Sequence, residues 1–219
     1  MFRKILLVVF VLTLCYQVNA QSIFPSYYFQ NDMEFSTPGT SLFGLSGFNN
    51  PAELAYQPYP NFYLTWNDLN SDFNDFSNWG LFTSIPYLGF GMHNQTRNDF
   101  SVIDYKISTA FGSDAFSAGF GYGWSSGDVS FFNRANVFTI GTIFRPASFL
   151  SFSLMGNLPC VGENEGIIGA GIRPLSNYNI TLFGDYTFTK DKTPEKIKWS
   201  AGAIVELSLI HISEPTRPY

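Results

Sequence analysis

An all-β fold is predicted: an up-and-down antiparallel β-barrel whose strands cross a membrane. The first observation is the stretch 115–124, AFSAGFGYGW, in which aromatic and apolar side chains alternate with small ones. Successive side chains of a strand point to opposite faces, so one face is aromatic and the other small. The second observation is the composition, with 24 Phe, 12 Tyr and 19 Gly in 219 residues and only 13% charged residues. Both favour alternating membrane strands over continuous apolar helices.

About ten segments with this alternation follow one another between residues 61 and 207. The rows of side chains on their apolar face begin at Phe62, Trp79, Leu88, Ser101, Phe116, Phe138, Leu150, Ile168, Ile180 and Ile197. Nearly all charges within the segments fall on the opposite face, together with many glycines. A charge facing lipid costs roughly 2–4 kcal/mol at the bilayer midplane, so this sorting is expected if the aromatic face meets lipid. A lipocalin-like barrel, with its apolar face inside, is the alternative that pattern alone leaves open.

The links between the segments predict how the barrel is connected. Short turns are expected at residues 86–87, 112–114, 145–148 and 173–179, and longer polar links at 67–78, 93–99, 125–136, 157–165 and 190–196. Long and short links are thus predicted to alternate without exception. Tight periplasmic turns and larger outer loops are typical of outer-membrane barrels. Residues 21–60 would then lie on the periplasmic side.

The two ends of the chain are predicted to lie outside the barrel. Residues 1–20 have the charged start, apolar core and small-residue cleavage site of a secretory signal, which predicts a bacterial outer-membrane location. Cys160 is the only cysteine after this leader, so no disulfide is expected within the mature chain. Residues 208–219 end the alternation and resemble translated sequencing-adaptor sequence. We therefore expect the natural protein to continue beyond residue 207.

Polar side chains on the small-residue face are candidates for the lining of the barrel. They are His93, Asp104, Lys106, Asp185, Lys198 and Glu206. They form either a network of ion pairs that fills the interior or a polar lining for a substrate. The oxygen-rich stretch 67–75 could be a loose calcium site, but it lacks the glycine and terminal glutamate of an EF-hand loop, which favours a solvated loop.

Several function classes are not expected for these residues. With only His93 and His211 available, no nucleophile, base and orienting acid can be assembled, so the chain is not predicted to be an enzyme. No cofactor is predicted. The formal net charge of −5 argues against a nucleic-acid partner, which requires a basic surface. The predicted partners are outer-membrane lipid and hydrophobic small molecules.

Residues 21–60 are predicted to form a plug inside the barrel or a cap on its periplasmic mouth. The segment is rich in apolar residues, and its glycines allow close packing; a disordered terminus is the alternative. Its central motif contains Gly44, Gly47, Asn50, Pro51 and Ala52. This motif, ending Asn-Asn-Pro-Ala-Glu-Leu, resembles a stretch near the mature start of the long-chain fatty-acid transporter (FadL-like) family and of PorV-type barrels. The turn-and-strand unit 171–186 resembles theirs as well.

Resemblance to FadL-like proteins implies a plugged barrel that passively transports hydrophobic compounds through a lateral opening. The family has more strands than this chain. A second resemblance involves Asn78-Trp-Gly-Leu-Phe and residues 119–128, which are similar to barrel regions ahead of signal peptide peptidase (SppA-type) domains. It implies a membrane anchor for an enzyme. A secretion or structural barrel without cargo is the third hypothesis.

Overall fold

The computed structural model describes residues 45–66, 76–175, 180–189 and 199–205. They form one antiparallel sheet of ten strands, in which each strand pairs with the next along the chain. The strands are β1 (Asn61–Trp66), β2 (Asn78–Ile85), β3 (Leu88–Arg97), β4 (Phe100–Gly112), β5 (Phe116–Gly127), β6 (Val137–Ala147), β7 (Leu150–Pro159), β8 (Glu165–Ile172), β9 (Ile180–Thr189) and β10 (Trp199–Val205). The predicted all-β class and up-and-down strand order are confirmed. Within the described residues the sheet is not closed, since β1 and β10 are its two edges.

The two faces of the central strands differ sharply in exposure. Phe120 of β5 is 52% exposed and Ile140 of β6 is equally so, whereas Ser117 and Thr139 on the other face are fully buried. The predicted alternation of aromatic and small residues therefore gives an exposed apolar face and a buried small and polar one. We call them the apolar face and the covered face. In the described residues, the face that a lipocalin-like barrel would pack inside is thus the exposed one.

The covered face holds little hydrophobic core. Its apolar clusters are small: Phe82 packs with Leu45 and Phe48, and Met155 packs with Ile167. Most other buried side chains are polar or charged, or are glycines with no side chain. Large apolar residues, which commonly fill protein interiors, therefore make up only a minor part of this covered face.

The predicted strict alternation of long and short links is wrong after strand β3. Residues 93–97 continue strand β3, and only Asn98 and Asp99 connect it to β4. Both have positive φ, 49° and 68°, as a two-residue hairpin turn requires. The polar side chains of residues 93–97 suggest a loop, but His93 and Gln95 find hydrogen-bond partners on the covered face, and all five residues remain in the strand. Of the predicted short turn at residues 173–179, residues 176–179 lie outside the described residues.

Strand β6 has one irregularity, at its end near the short turn. Its register against β7 shifts between Phe144 and Ala147. Pro146 lies in this interval, and a proline cannot donate a ladder hydrogen bond, so a bulge accommodates it. The bulge adjoins Arg145, whose side chain contacts the segment that covers the sheet.

Candidate functional site

Residues 45–57 lie across the covered face and form a short 3₁₀ helix at Pro51–Tyr56. Asn50 caps this helix, since its Oδ1 accepts a hydrogen bond from the Ala52 backbone N–H at 3.0 Å. Pro51 follows as the first helical residue, where its missing N–H costs nothing. The helix packs on β3, β4, β5 and β6. We call residues 45–57 the covering segment.

Glycines of the sheet make room for the covering segment. A Cβ atom on Gly119 would lie 2.6 Å from the carbonyl carbon of Pro51, and one on Gly141 would overlap Asn50 Oδ1. A Cβ on Gly89 would likewise overlap the Ser46 carbonyl oxygen. These glycines are needed for the close approach of the covering segment to the sheet.

Side-chain contacts hold both ends of the covering segment. At one end Ser108 Oγ donates a 2.8 Å hydrogen bond to the Gly47 carbonyl. Phe48 packs edge-on against Phe82, with ring centroids 5.2 Å apart. At the other end Ser84 Oγ donates to Gln57 Oε1. The motif residues Gly47, Asn50, Pro51 and Ala52 therefore lie against the covered face, and Gly44 lies outside the described residues.

A network of buried polar side chains runs along the end of the sheet that carries residues 128–136. His93 Nε2 and Asn78 Oδ1 are hydrogen-bonded at 2.6 Å. Gln95 Nε2 lies 3.5 Å from His93 Nδ1. Gln95 Oε1 accepts a 2.7 Å hydrogen bond from Arg134 Nη2. The network thus connects β2 and β3 to the loop between β5 and β6.

Arg134 and Asp104 form the ion pair of this network. Arg134 Nε donates to both Asp104 oxygens, at 2.8 and 2.9 Å, and Arg134 Nη2 is 2.8 Å from Oδ2. Ser125 Oγ also donates to Asp104 Oδ1, at 2.6 Å. Both carboxylate oxygens therefore accept charge-assisted hydrogen bonds, which are the strong class.

Lys106 belongs to a second chain of hydrogen bonds. Its Nζ donates to Thr139 Oγ1 at 3.2 Å, reaching across Gly123 of the intervening strand. Thr139 Oγ1 donates to Asn157 Oδ1 at 3.0 Å, and Asn157 Nδ2 donates to Glu165 Oε2 at 3.2 Å. The ammonium also lies 5.1 Å from the centroid of the Phe48 ring, a cation–π arrangement.

The structure brings three of the predicted lining residues together. His93, Asp104 and Lys106 lie near one another on β3 and β4. Asp185 lies on β9, where its Oδ1 accepts hydrogen bonds from the Ser200 backbone and hydroxyl. Lys198 and Glu206 lie outside the described residues, as does the candidate calcium loop 67–75. Whether these side chains line a barrel interior stays a prediction.

Sequence reasoning missed Arg134, which is the partner of Asp104. The period-two pattern covers strands only, and Arg134 lies in the loop before β6. A weak signal existed, because Arg134 is the single cationic residue in residues 125–136.

An open recess of about 900 Å³ lies at the other end of the sheet. Its lining includes Tyr56, Tyr87, Arg145 and Arg173. The Arg145 guanidinium stacks 3.7 Å from the centroid of the Tyr56 ring, which connects β6 to the covering segment. A space of this size is within the range of small-molecule sites.

No protein-family model matches the chain, and neither characterised proteins nor solved structures give a match. The class of protein is therefore defined by the fold alone: an antiparallel ten-stranded sheet with one apolar and one covered polar face. Within the described ranges, no helix has the length and apolar character to span a bilayer. In the same residues, no group of three His, Cys, Asp or Glu side chains could hold a metal ion.

Proposed function

We propose that the ten strands form the wall of a bacterial outer-membrane β-barrel, with the apolar face against lipid and the covered face inside. The observation that carries the proposal is the row of exposed Phe, Ile and Leu side chains that continues from strand to strand. It includes Phe62, Leu64, Ile107, Phe116, Phe120, Ile140, Phe144, Phe152, Leu154, Ile168 and Leu182. Water-soluble monomers rarely expose one apolar patch of more than a few hundred Å².

Strand length and the position of aromatic residues support the same proposal. Strands β3–β7 and β9 have 10 to 13 residues, and a tilted strand of about 9–11 residues crosses the hydrocarbon. Exposed aromatic residues also occur at both ends of the sheet. Phe100 and Phe131 stack at one end, and Phe111 and Phe149 are exposed at the other. Aromatic belts at both interfaces are typical of membrane proteins.

The proposed activity is passive transport of hydrophobic compounds, with residues 45–57 as part of the plug. The support is the covering segment seated on inward glycines and the recess beside it. One observation favours the second candidate, a membrane anchor or structural barrel without cargo. The covering segment and Arg134 meet on the covered face with only a partly open pocket of about 20 Å³ between them.

Lysine substitutions at two equally exposed apolar sites test the membrane proposal. Phe120 lies in the middle of β5 and Leu175 lies in a link, with exposures of 52% and 58%. Phe120→Lys should destabilise the membrane-inserted protein by about 2–4 kcal/mol, and Leu175→Lys much less, because only the first side chain would face acyl chains. Unfolding by urea in lipid vesicles, followed by Trp fluorescence, measures both. Equal effects, or a protein that remains in solution without detergent, would contradict the proposal.

Uptake by cells tests transport separately. Gram-negative cells expressing the full gene should take up a labelled long-chain fatty acid faster than cells expressing a variant whose covering segment is tethered to the sheet. Cysteines replacing Gln57 and Ser84, whose side chains are in contact, provide the tether when bridged by a short reducible bis-methanethiosulfonate, and reduction should restore uptake. Membrane insertion without any gain in uptake favours the anchor or structural barrel.

A further inference from the structure

Residues 128–136, between β5 and β6, fold back over the sheet and are fixed at three points. We call them the mouth loop. Asp128 is bonded to the start of β4 through its backbone N–H and through Oδ2, which accepts from the Ser101 N–H at 2.8 Å. Phe131 stacks on Phe100 with ring centroids 4.2 Å apart. Arg134 is the third point.

The Arg134 side chain enters the covered face and is almost completely buried. Its exposed fraction is 3%, against 17% for its partner Asp104. Besides the ion pair, it donates to Gln95 Oε1 on β3 and to the Phe132 carbonyl within the mouth loop. One guanidinium therefore connects β3, β4 and the loop. A buried charge is strongly disfavoured without its partner, so the loop position depends on Asp104.

The covering segment reaches the same place from the other side. A partly open pocket of about 20 Å³ lies between Phe48, Lys106 and Arg134. Its volume is about that of one water molecule. Val137, the first residue of β6, lines the pocket and is 3% exposed. The covered face is thus filled from the loop side by Arg134 and from the segment side by Phe48.

We propose that the Arg134–Asp104 pair is a latch that closes the mouth of the covered face at the mouth-loop end. While the pair is intact, bulky solutes do not pass this pocket to reach the buried side chains of Lys106 and Val137. When the pair separates, the mouth loop moves away and the covered face opens from that end. The proposal rests on the covered face being the interior of the proposed barrel, but it does not require that the barrel transports anything.

A cysteine placed at Val137 tests the latch. The protein carries Cys15→Ser, Cys160→Ser and Val137→Cys, and is purified as the full chain in detergent micelles. The measurement is its reaction rate with a bulky hydrophilic maleimide. A cysteine at the exposed Ser126, in otherwise identical protein, gives the rate of an open site. With the latch intact, the cysteine at 137 should react far more slowly than the one at 126.

Breaking the pair should expose the cysteine at position 137. Arg134→Met should raise its reaction rate by more than about tenfold, because the open state no longer has to separate an ion pair. Arg97→Met is the matched control, since Arg97 is an exposed residue at the end of β3. It should leave the rate unchanged. Exchanging the charges, Asp104→Arg with Arg134→Asp, should slow the reaction again.

Circular dichroism distinguishes opening of the latch from loss of the sheet. Asp104→Asn keeps the shape of the side chain and should give an intermediate rate with strand content unchanged. Fast reaction in the protein with the intact pair would overturn the latch. Unchanged rates in both Arg134→Met and Asp104→Asn would overturn it as well. The membrane proposal fails separately if the purified protein remains in solution without detergent.

Discussion

The central strands and the edge strands of the sheet share a sequence pattern but differ in burial. In β5, large exposed residues alternate with buried small ones, as in Phe120 and Gly121. In β10, Trp199, Ala201 and Ala203 alternate with Ser200, Gly202 and Ile204, yet no residue of the strand is buried. Trp199 is 73% exposed. Strand β1 is likewise without a buried residue. Alternation therefore sorts side chains into two faces, whereas burial requires something to cover one of them.

The cover lies over the centre of the sheet. The 3₁₀ helix packs on β3, β4, β5 and β6, and the mouth loop adds Arg134 over β3 and β4. Polar groups in this region are buried and must find partners there, because an unsatisfied buried group costs about 1–3 kcal/mol. In the edge strands β1 and β10, by contrast, residues of both faces are exposed or half-buried. Substitutions at matched central and edge sites should therefore differ in their cost.

The largest difference in lost unfolding free energy is expected between substitutions of two aspartates. Asp104→Asn, in the central region, leaves the buried Arg134 without its counter-charge and should reduce the free energy of unfolding by about 3 kcal/mol. Asp185→Asn, on β9, weakens the hydrogen bonds that connect this strand to Ser200 of the edge strand β10, and should reduce the free energy of unfolding by about 1 kcal/mol. Urea unfolding of both variants measures the difference. Equal losses of unfolding free energy would show that the Arg134–Asp104 pair stabilises the protein no more than the hydrogen bonds of Asp185 do.

A smaller difference in stability is expected when two glycines on neighbouring strands are replaced by alanine. A Cβ at Gly141 would overlap Asn50 of the covering segment, whereas one at Gly156 would meet nothing within 4 Å. Gly141→Ala should therefore destabilise the protein by about 1–3 kcal/mol through overpacking. Gly156→Ala should be neutral or slightly stabilising, because alanine restricts the unfolded chain. If Gly141→Ala is tolerated as well as Gly156→Ala, residues 45–57 are not seated on this strand.

The smallest difference in stability is expected when two adjacent hydroxyl residues of β4 are replaced by alanine. Ser108 faces the covering segment and donates to the Gly47 carbonyl, whereas Thr109 faces outward and donates to the Tyr87 carbonyl. Ser108→Ala should cost about 1 kcal/mol, since it leaves a buried carbonyl with one partner fewer. Thr109→Ala should stay within about 0.5 kcal/mol. Thermal unfolding in detergent distinguishes them, and a reversed order would contradict the assignment of the two faces.

Much of the sheet could be predicted from the sequence, because strand alternation is a local property. The aromatic rows beginning at Phe62, Trp79 and Phe116 follow from side-chain geometry within single strands. The turn at Pro86–Tyr87 was predicted from its residues as well, and the structure confirms it. The link after His93 was predicted wrongly, because its polar residues resemble a loop unless their partners Asn78 and Arg134 are known.

By itself, the sequence determined the strands, the order in which their residues alternate, and the separation of charges from aromatic rings. These depend on the period of two in an extended backbone, which needs no distant contact. Only the tertiary structure decided which face is covered, that Asp104 pairs with Arg134 rather than Lys106, and that Lys106 reaches Thr139 across Gly123. Such pairings join residues far apart in the chain. They depend on where the covering segment and the mouth loop pack on the sheet, and a local sequence period does not predict those positions.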